Sequence, residues 1–108
     1  MYYLAVQAQA GVWYDAARTG DIAKVRQLLE QGADANERDK YNQTPLYIAA
    51  HWGNTELAIL LIEKGADVNT RDKDQNTPAM TAEKRNHHEL AAMLRQAGDI
   101  KEREALQP

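Results

Sequence analysis

A spacing of 33 residues recurs along the chain and constrains its fold more than any other feature. Residues 11–43 and 44–76 align with thirteen identities. A unit of this length cannot bury its apolar face alone, so consecutive units must stack on one another. The period therefore predicts a repeat solenoid, and the two helices expected in the second repeat make it an α-rich one. The recurring positions include three glycines and a Thr-Pro pair: Gly32, Gly65 and Gly98, and Thr44-Pro45 with Thr77-Pro78.

The period divides the chain into a short leader and three repeats. Residues 1–10 are an N-terminal extension, 11–43 the first repeat, 44–76 the second, and 77–108 the third with a tail. The extension ends in Ala8-Gln9-Ala10, a pattern also found at the end of secretory signals, but it has no basic start. We expect a cytoplasmic protein, with a periplasmic or secreted one as the alternative if the extension is the remnant of a leader.

The second repeat has a readable local structure. Thr44-Pro45 suits an N-cap followed by proline at the first helical position. We expect one helix over Leu46 to His51, ended near Gly53, and a second over Glu56 to Glu63. The second helix is apolar on all sides, as expected where neighbours stack on both flanks. An Asp- and Asn-rich loop follows at 66–76 and favours a hairpin.

These motifs resemble the ankyrin repeat, whose 33-residue period and Thr-Pro-Leu-His-x-Ala signature they follow over residues 11–98. The resemblance implies three stacked helix-turn-helix units with β-hairpin loops, and a role in binding other proteins. Tyr47 replaces the usual His, and Asn42 and Gln75 replace the hairpin glycine. The matching segments are Thr44-Pro45-Leu46-Tyr47-Ile48-Ala49-Ala50, Gly53, Leu60-Leu61, Gly65-Ala66-Asp67-Val68-Asn69 and Asp72.

Polar substitutions predict where the stack ends. The first repeat has Lys24 and Gln27 where the second has leucines, and the third has Glu83 and Arg95 where the second has Ala and Ile. Terminal repeats need a polar outer face because no neighbour covers them. We therefore expect caps at both ends. After Gly98 we expect a short terminal helix or frayed tail, with Asp99 as its candidate N-cap, instead of a third hairpin.

The composition offers no catalytic signature. The 108-residue chain contains neither Cys nor Ser, which removes the usual thiol and hydroxyl nucleophiles. Its net charge of −3 argues against nucleic acid as a partner, and no apolar stretch is long enough for a membrane span. We expect no enzyme activity and no cofactor.

Three histidines raise the question of a metal site. His87 and His88 are adjacent, so on a helix their side chains diverge by about 100°. His51 lies at the end of another helix, and Glu56 or Glu89 would have to complete a weak zinc site. We favour no metal, because the resemblance places His87 where the family has His or Asn at the start of a second helix.

The resemblance implies a concave face built from the ends of the first helices and the hairpin tips. Trp52 is the most informative residue there, because the neighbouring repeats have Thr19 and Arg85 at its position. It is either an exposed binding anchor or a filler packed against Tyr41 or Tyr47. The candidate partner-binding residues are Arg18, Lys40, Tyr41, His51, Trp52, Lys73, Lys84 and Arg85.

Positive charge is concentrated on this face. The helix ends and hairpin tips hold seven basic and three acidic residues, whereas the rest of the chain holds six basic and thirteen acidic ones. We therefore expect a monomeric, non-catalytic module that binds another protein with an acidic surface. The alternative is a regulatory inhibitor or immunity-type protein that blocks an enzyme's acidic site.

Overall fold

A computed structural model describes residues 10–106 of the chain, and the side chains of residues 14–98. The predicted N-terminal extension, apart from Ala10, lies outside the described residues. Within the described range the chain forms six α-helices and no β-strand. The helices are α1 (Ala10–Thr19), α2 (Ile22–Glu30), α3 (Pro45–Trp52), α4 (Thr55–Glu63), α5 (Pro78–Lys84) and α6 (His88–Leu106).

The helices stack as the period predicts. Helix α3 packs against α1 on one side and α5 on the other, so the first helices of the three repeats form one layer. Helix α3 also packs against α4, while α2 contacts α4 and α5 contacts α6. This order confirms the α-rich repeat solenoid. No helix in the described part is both long and apolar enough to span a bilayer.

Side-chain caps set the starts of the helices. The Thr44 hydroxyl accepts a hydrogen bond from the Tyr47 amide at 3.2 Å, and Thr77 caps α5 in the same way through the Met80 amide. A proline follows each cap at the first helical position. The predicted helices are therefore confirmed: α3 is one residue longer than expected at each end, and α4 is one residue longer at its start.

The loops between repeats are closed by aspartates. The Asp72 carboxylate accepts hydrogen bonds from the amides of Asp74 and Asn76, both at 2.9 Å, and the Asp72 amide donates to the Asn76 carbonyl at 3.1 Å. Asp39 closes the preceding loop with the same pattern. The expectation of β-hairpins is not met among the described residues, because the carboxylate takes up amides that a strand ladder would need.

Both substitutions of the hairpin glycine adopt the left-handed conformation. Asn42 has a φ of 62° and Gln75 a φ of 68°. Asparagine tolerates this region well, whereas glutamine is uncommon there. The two loops therefore keep the same backbone although neither contains glycine at this position.

Hydrogen bonds join successive loops into one continuous edge. The Asn36 side chain donates to the Gly65 carbonyl at 3.0 Å and accepts from the Asp67 amide at 2.7 Å. Nearer the tips, the Lys73 amide donates to the Tyr41 carbonyl at 3.2 Å. Each loop is thus positioned by its neighbour as well as by its own turn.

The outer faces of the stack differ from its centre as expected for caps. Leu57 and Leu60 of α4 are buried, whereas Lys24 and Gln27 at the equivalent positions of α2 are exposed. At the other end, Arg95 of α6 lies 3.6 Å from Glu83 of α5.

The largest fully buried side chains are Leu46, Leu57, Leu61, Leu94, Val25, Thr44 and Pro78.

From Gly98 to Leu106 the chain is helical and forms no third hairpin, but the expectation that a separate terminal helix begins at Asp99 is wrong. Helix α6 continues through Gly98 and Asp99 as far as Leu106, so Asp99 does not begin a separate helix. Gly98 allows close packing, because a Cβ added there would lie 2.8 Å from the Asn69 side-chain oxygen and would displace that side chain. The sequence after Asp99 is rich in helix formers, which allows the helix to continue.

Tyr47 joins α3 to the neighbouring repeat. Its hydroxyl lies within interaction range of Thr81 of α5 and of Asp72 in the second loop. Burial raises the pKa of Tyr47 above its ordinary value of 10.0, and the negative charges of Asp72 and Asp74 act in the same direction. The tyrosine that replaces the family's histidine is therefore a structural link between repeats two and three.

Candidate functional site

A cleft of about 320 Å³ opens between the end of α3 and the turn that joins α5 to α6. Four of the eight predicted partner-binding residues line it, together with two residues of the turn. We call it the basic cleft. Its lining residues are His51, Trp52, Lys84, Arg85, Asn86 and His87.

Trp52 forms one wall of the basic cleft and is 36% exposed. Its ring meets the Tyr14 ring edge to face, with centroids 5.9 Å apart, and the His51 ring at 5.1 Å. The filler alternative named Tyr41 or Tyr47 as the contact, whereas the ring contacts of Trp52 are with Tyr14 and His51. The Tyr14 and His51 rings therefore fix the position of Trp52, while part of its surface stays exposed to solvent.

His87 is held in place by the second repeat. Its Nε2 lies 3.2 Å from the His51 carbonyl oxygen, and because a carbonyl only accepts, Nε2 carries the proton. The ring packs over Gly53, where an added Cβ would lie 2.5 Å from it. Gly53 also has a φ of 71°, a conformation that glycine adopts most easily, so both the packing and the backbone favour glycine there. The sequence reading had given His87 no role in binding.

The electrostatics of the basic cleft favour anions. Burial lowers the pKa of His51 below its ordinary value of 6.5, and the positive charge of Arg85 and the neighbouring His87 lower it further. The Lys84 ammonium donates to the Asn76 side-chain oxygen at 2.7 Å, which fixes its position beside the cleft. Among the residues that the structure describes, no carboxylate lines the cleft.

Three other predicted residues form a separate group at the loop tips. The Lys40 ammonium lies 5.2 Å and the Lys73 ammonium 6.0 Å from the centroid of the Tyr41 ring. Both distances fall in the range of cation–π attraction. We call Lys40, Tyr41 and Lys73 the tip cluster. It presents an exposed aromatic ring between two positive charges.

Arg18 belongs to neither group. Its guanidinium lies 3.7 Å from the Asp15 carboxylate one turn earlier in α1. An exposed pair of this kind contributes little to stability, but it offsets the positive charge of Arg18. Of the eight predicted residues, Arg18 is therefore the one whose charge is already partnered within the chain.

Tyr14 also borders a small apolar hollow that the sequence reading missed. The hollow measures about 90 Å³ and lies between α1, the first loop and the start of α3. Its apolar lining residues are Tyr14, Pro45 and Ile48, and its polar ones are Glu37, Arg38, Asp39 and Gln43. Tyr14 separates it from Trp52. The only sequence signal for Tyr14 is its identity with Tyr47 one repeat later.

The histidines do not converge on a metal. His88 turns away from the basic cleft and places Nδ1 3.0 Å from the Glu83 carboxylate. Within the described residues, no group of three or more His, Asp or Glu side chains is arranged to hold a metal ion.

The chain matches the family model of the ankyrin repeats, in 3 copies, over residues 13–104. It therefore belongs to the ankyrin repeat family. Proteins of this family are generally protein–protein interaction modules and are generally non-catalytic.

Proposed function

We propose that this chain binds a partner protein through the concave face of its three repeats, 11–43, 44–76 and 77–108. The observation that carries the proposal is the basic cleft, which brings His51, Trp52, Lys84 and Arg85 together from two repeats. A partly exposed tryptophan beside an arginine is a composition enriched in binding hot spots. The tip cluster extends the same positive, aromatic character along the loop tips.

The partner presents an acidic surface with an apolar side chain near it. The positive charges of the basic cleft and the tip cluster complement carboxylates, while Trp52 and the apolar hollow beside Tyr14 accept apolar atoms. Complementary charge chiefly accelerates encounter and rejects wrong partners, whereas the buried aromatic contact slows dissociation. We propose that the chain does this as a monomer.

An inhibitory role is a second candidate. The absence of a lining carboxylate among the described residues would let the basic cleft cover an acidic enzyme site without repulsion. Measuring the activity of a captured partner with and without the chain separates inhibition from scaffolding.

Affinity capture with the full chain as bait tests the proposal. We expect the Trp52→Ala variant to bind the captured partner about 30-fold more weakly, because hot-spot truncations cost about 2 kcal/mol or more. Ile59→Ala is the matched control: Ile59 of α4 is 43% exposed, and the resemblance to ankyrin repeats implies that it lies on the convex side. Loss of binding in Ile59→Ala with retention in Trp52→Ala would place the functional surface elsewhere.

A further inference from the structure

The basic cleft brings together cationic side chains and histidines from two repeats around one opening. Arg85, Lys84 and His87 come from the third repeat, and His51 from the second. In the described part of the chain no acidic side chain lines this opening to neutralise them. A volume of about 320 Å³ exceeds what one water molecule needs and can admit a side chain.

Chemistry selects a carboxylate as the occupant. A guanidinium can bind both oxygens of a carboxylate at once, and a neighbouring ammonium or imidazolium adds a further charge-assisted hydrogen bond. The Trp52 wall suits the methylene carbons of an aspartate or glutamate side chain.

Building on the proposed function, we propose that the basic cleft binds an Asp or Glu side chain of the partner protein and that His51 takes up one proton from water as it binds. The neutral imidazole of His51 becomes an imidazolium that faces the bound carboxylate. No other bond is made or broken.

The surroundings of His51 explain why the proton arrives with the ligand. From the third repeat, His51 shares the cleft with Lys84, Arg85 and His87, and the charges of Arg85 and His87 disfavour a further positive charge while the cleft is empty. In α1, Arg18 occupies the equivalent helix position and is paired with Asp15. A bound carboxylate reverses the balance, because it favours the imidazolium.

The sign of the pH dependence follows from this balance. Burial and Arg85 hold the pKa of His51 below 6.5 in the empty cleft, and the carboxylate raises it in the complex. The complex therefore binds more protons than the free chain, and affinity increases as pH falls between these two values. A rise of about one in this pKa corresponds to about tenfold tighter binding at the acidic end.

Two peptides serve as probes: acetyl-Ala-Leu-Glu-Leu-Ala-amide and the same peptide with Gln in place of Glu. The carboxyl of the first is more than about 90% ionised at pH 5.5, so its own titration does not produce the effect. Imidazole NMR of the full chain would follow its three histidines between pH 5.5 and 7.5. We expect the Glu peptide to raise the pKa of His51 and to bind several-fold more tightly at pH 5.5, and the Gln peptide to do neither.

Matched variants identify the proton acceptor. His51→Gln is expected to abolish the pH dependence, whereas His88→Gln, whose ring faces Glu83 outside the cleft, is expected to leave both the pH dependence and the affinity at pH 7.5 unchanged. Equal binding of the two peptides, or a pH dependence that survives His51→Gln, would overturn the proposal. Sulfate that binds as tightly as the Glu peptide would make the cleft a general anion site and also overturn it.

The outcomes separate this inference from the proposed function. Trp52-dependent capture of a partner at an affinity independent of pH would remove the proton-linked carboxylate and leave the binding face intact. Proton-linked binding of the Glu peptide, together with partner capture that ignores Trp52→Ala, would leave the cleft intact and remove the proposed face.

Discussion

The first and second repeats share one backbone plan but differ in what covers them. Both turn between helices at a glycine with positive φ, Gly20 and Gly53. The His87 ring of the next repeat packs directly against Gly53. At Gly20, an added Cβ would meet only the Asn54 side chain, at an ordinary contact distance of 3.6 Å. The period thus determines the turn, and the neighbouring repeat determines how tightly it is packed.

The same contrast holds on the second helices. At equivalent positions, α4 presents the buried Leu57 and α2 the exposed Lys24. A repeat with neighbours on both flanks can bury apolar side chains on both faces, whereas a terminal repeat leaves its outer face exposed to solvent. Stability should therefore be concentrated in the second repeat.

Truncating α4 is the strongest test of that comparison. Leu57→Ala should lower the free energy of unfolding by about 2–5 kcal/mol, because Leu57 is 1% exposed and its removal leaves a cavity between repeats. Lys24→Ala, the matched change in α2, should alter it by less than about 0.5 kcal/mol. Urea denaturation of both variants measures the difference. Similar losses in the two variants would show that the first repeat does not have a solvated outer face.

The two turn glycines provide the next test. Gly20→Ala should cost about 1–2 kcal/mol through the positive φ alone. Gly53→Ala should cost about 1–3 kcal/mol more, because its Cβ would displace the His87 ring and break the hydrogen bond to the His51 carbonyl. Urea denaturation measures both losses in the free energy of unfolding, from the shift of the midpoint when the slope m is unchanged. Equal costs would mean that the His87 ring moves aside without penalty.

Features with a local cause could be predicted from the sequence. Thr44 and Thr77 cap the following helix through an amide three residues away, and the residue types alone indicate this. The lining of the basic cleft by His51 and Trp52 together with Lys84 and Arg85 follows from the repeat register, since these residues occupy equivalent helix ends.

Contacts between repeats could not be predicted in the same way. The Trp52 ring meets Tyr14, and His87 bonds to the His51 carbonyl, because of how neighbouring repeats are offset in the stack. Gly98 shows the limit most clearly. Its place in the period suggested a helix end, but its position against Asn69 makes it a packing glycine within α6.

The smallest expected effect compares lysines on the two faces. Lys84→Glu should slow association with the acidic partner by about three- to tenfold at low salt, because it reverses a charge at the basic cleft. Lys24→Glu makes the same change on the outer face of the first repeat and should have little effect. Lys84→Gln should give an intermediate rate, and it avoids placing a carboxylate at the C-terminal end of α5.

The salt dependence of the association rate distinguishes a loss of electrostatic steering from damage to the fold. The Lys84→Glu and wild-type association rates should converge as ionic strength rises, because exposed charges are screened beyond about 8 Å at physiological salt and over shorter distances above it. Stopped-flow association at several salt concentrations measures this convergence. If Lys24→Glu slowed association as much as Lys84→Glu, overall charge would govern the encounter. The distinction between the cleft and the outer face would then have no kinetic consequence.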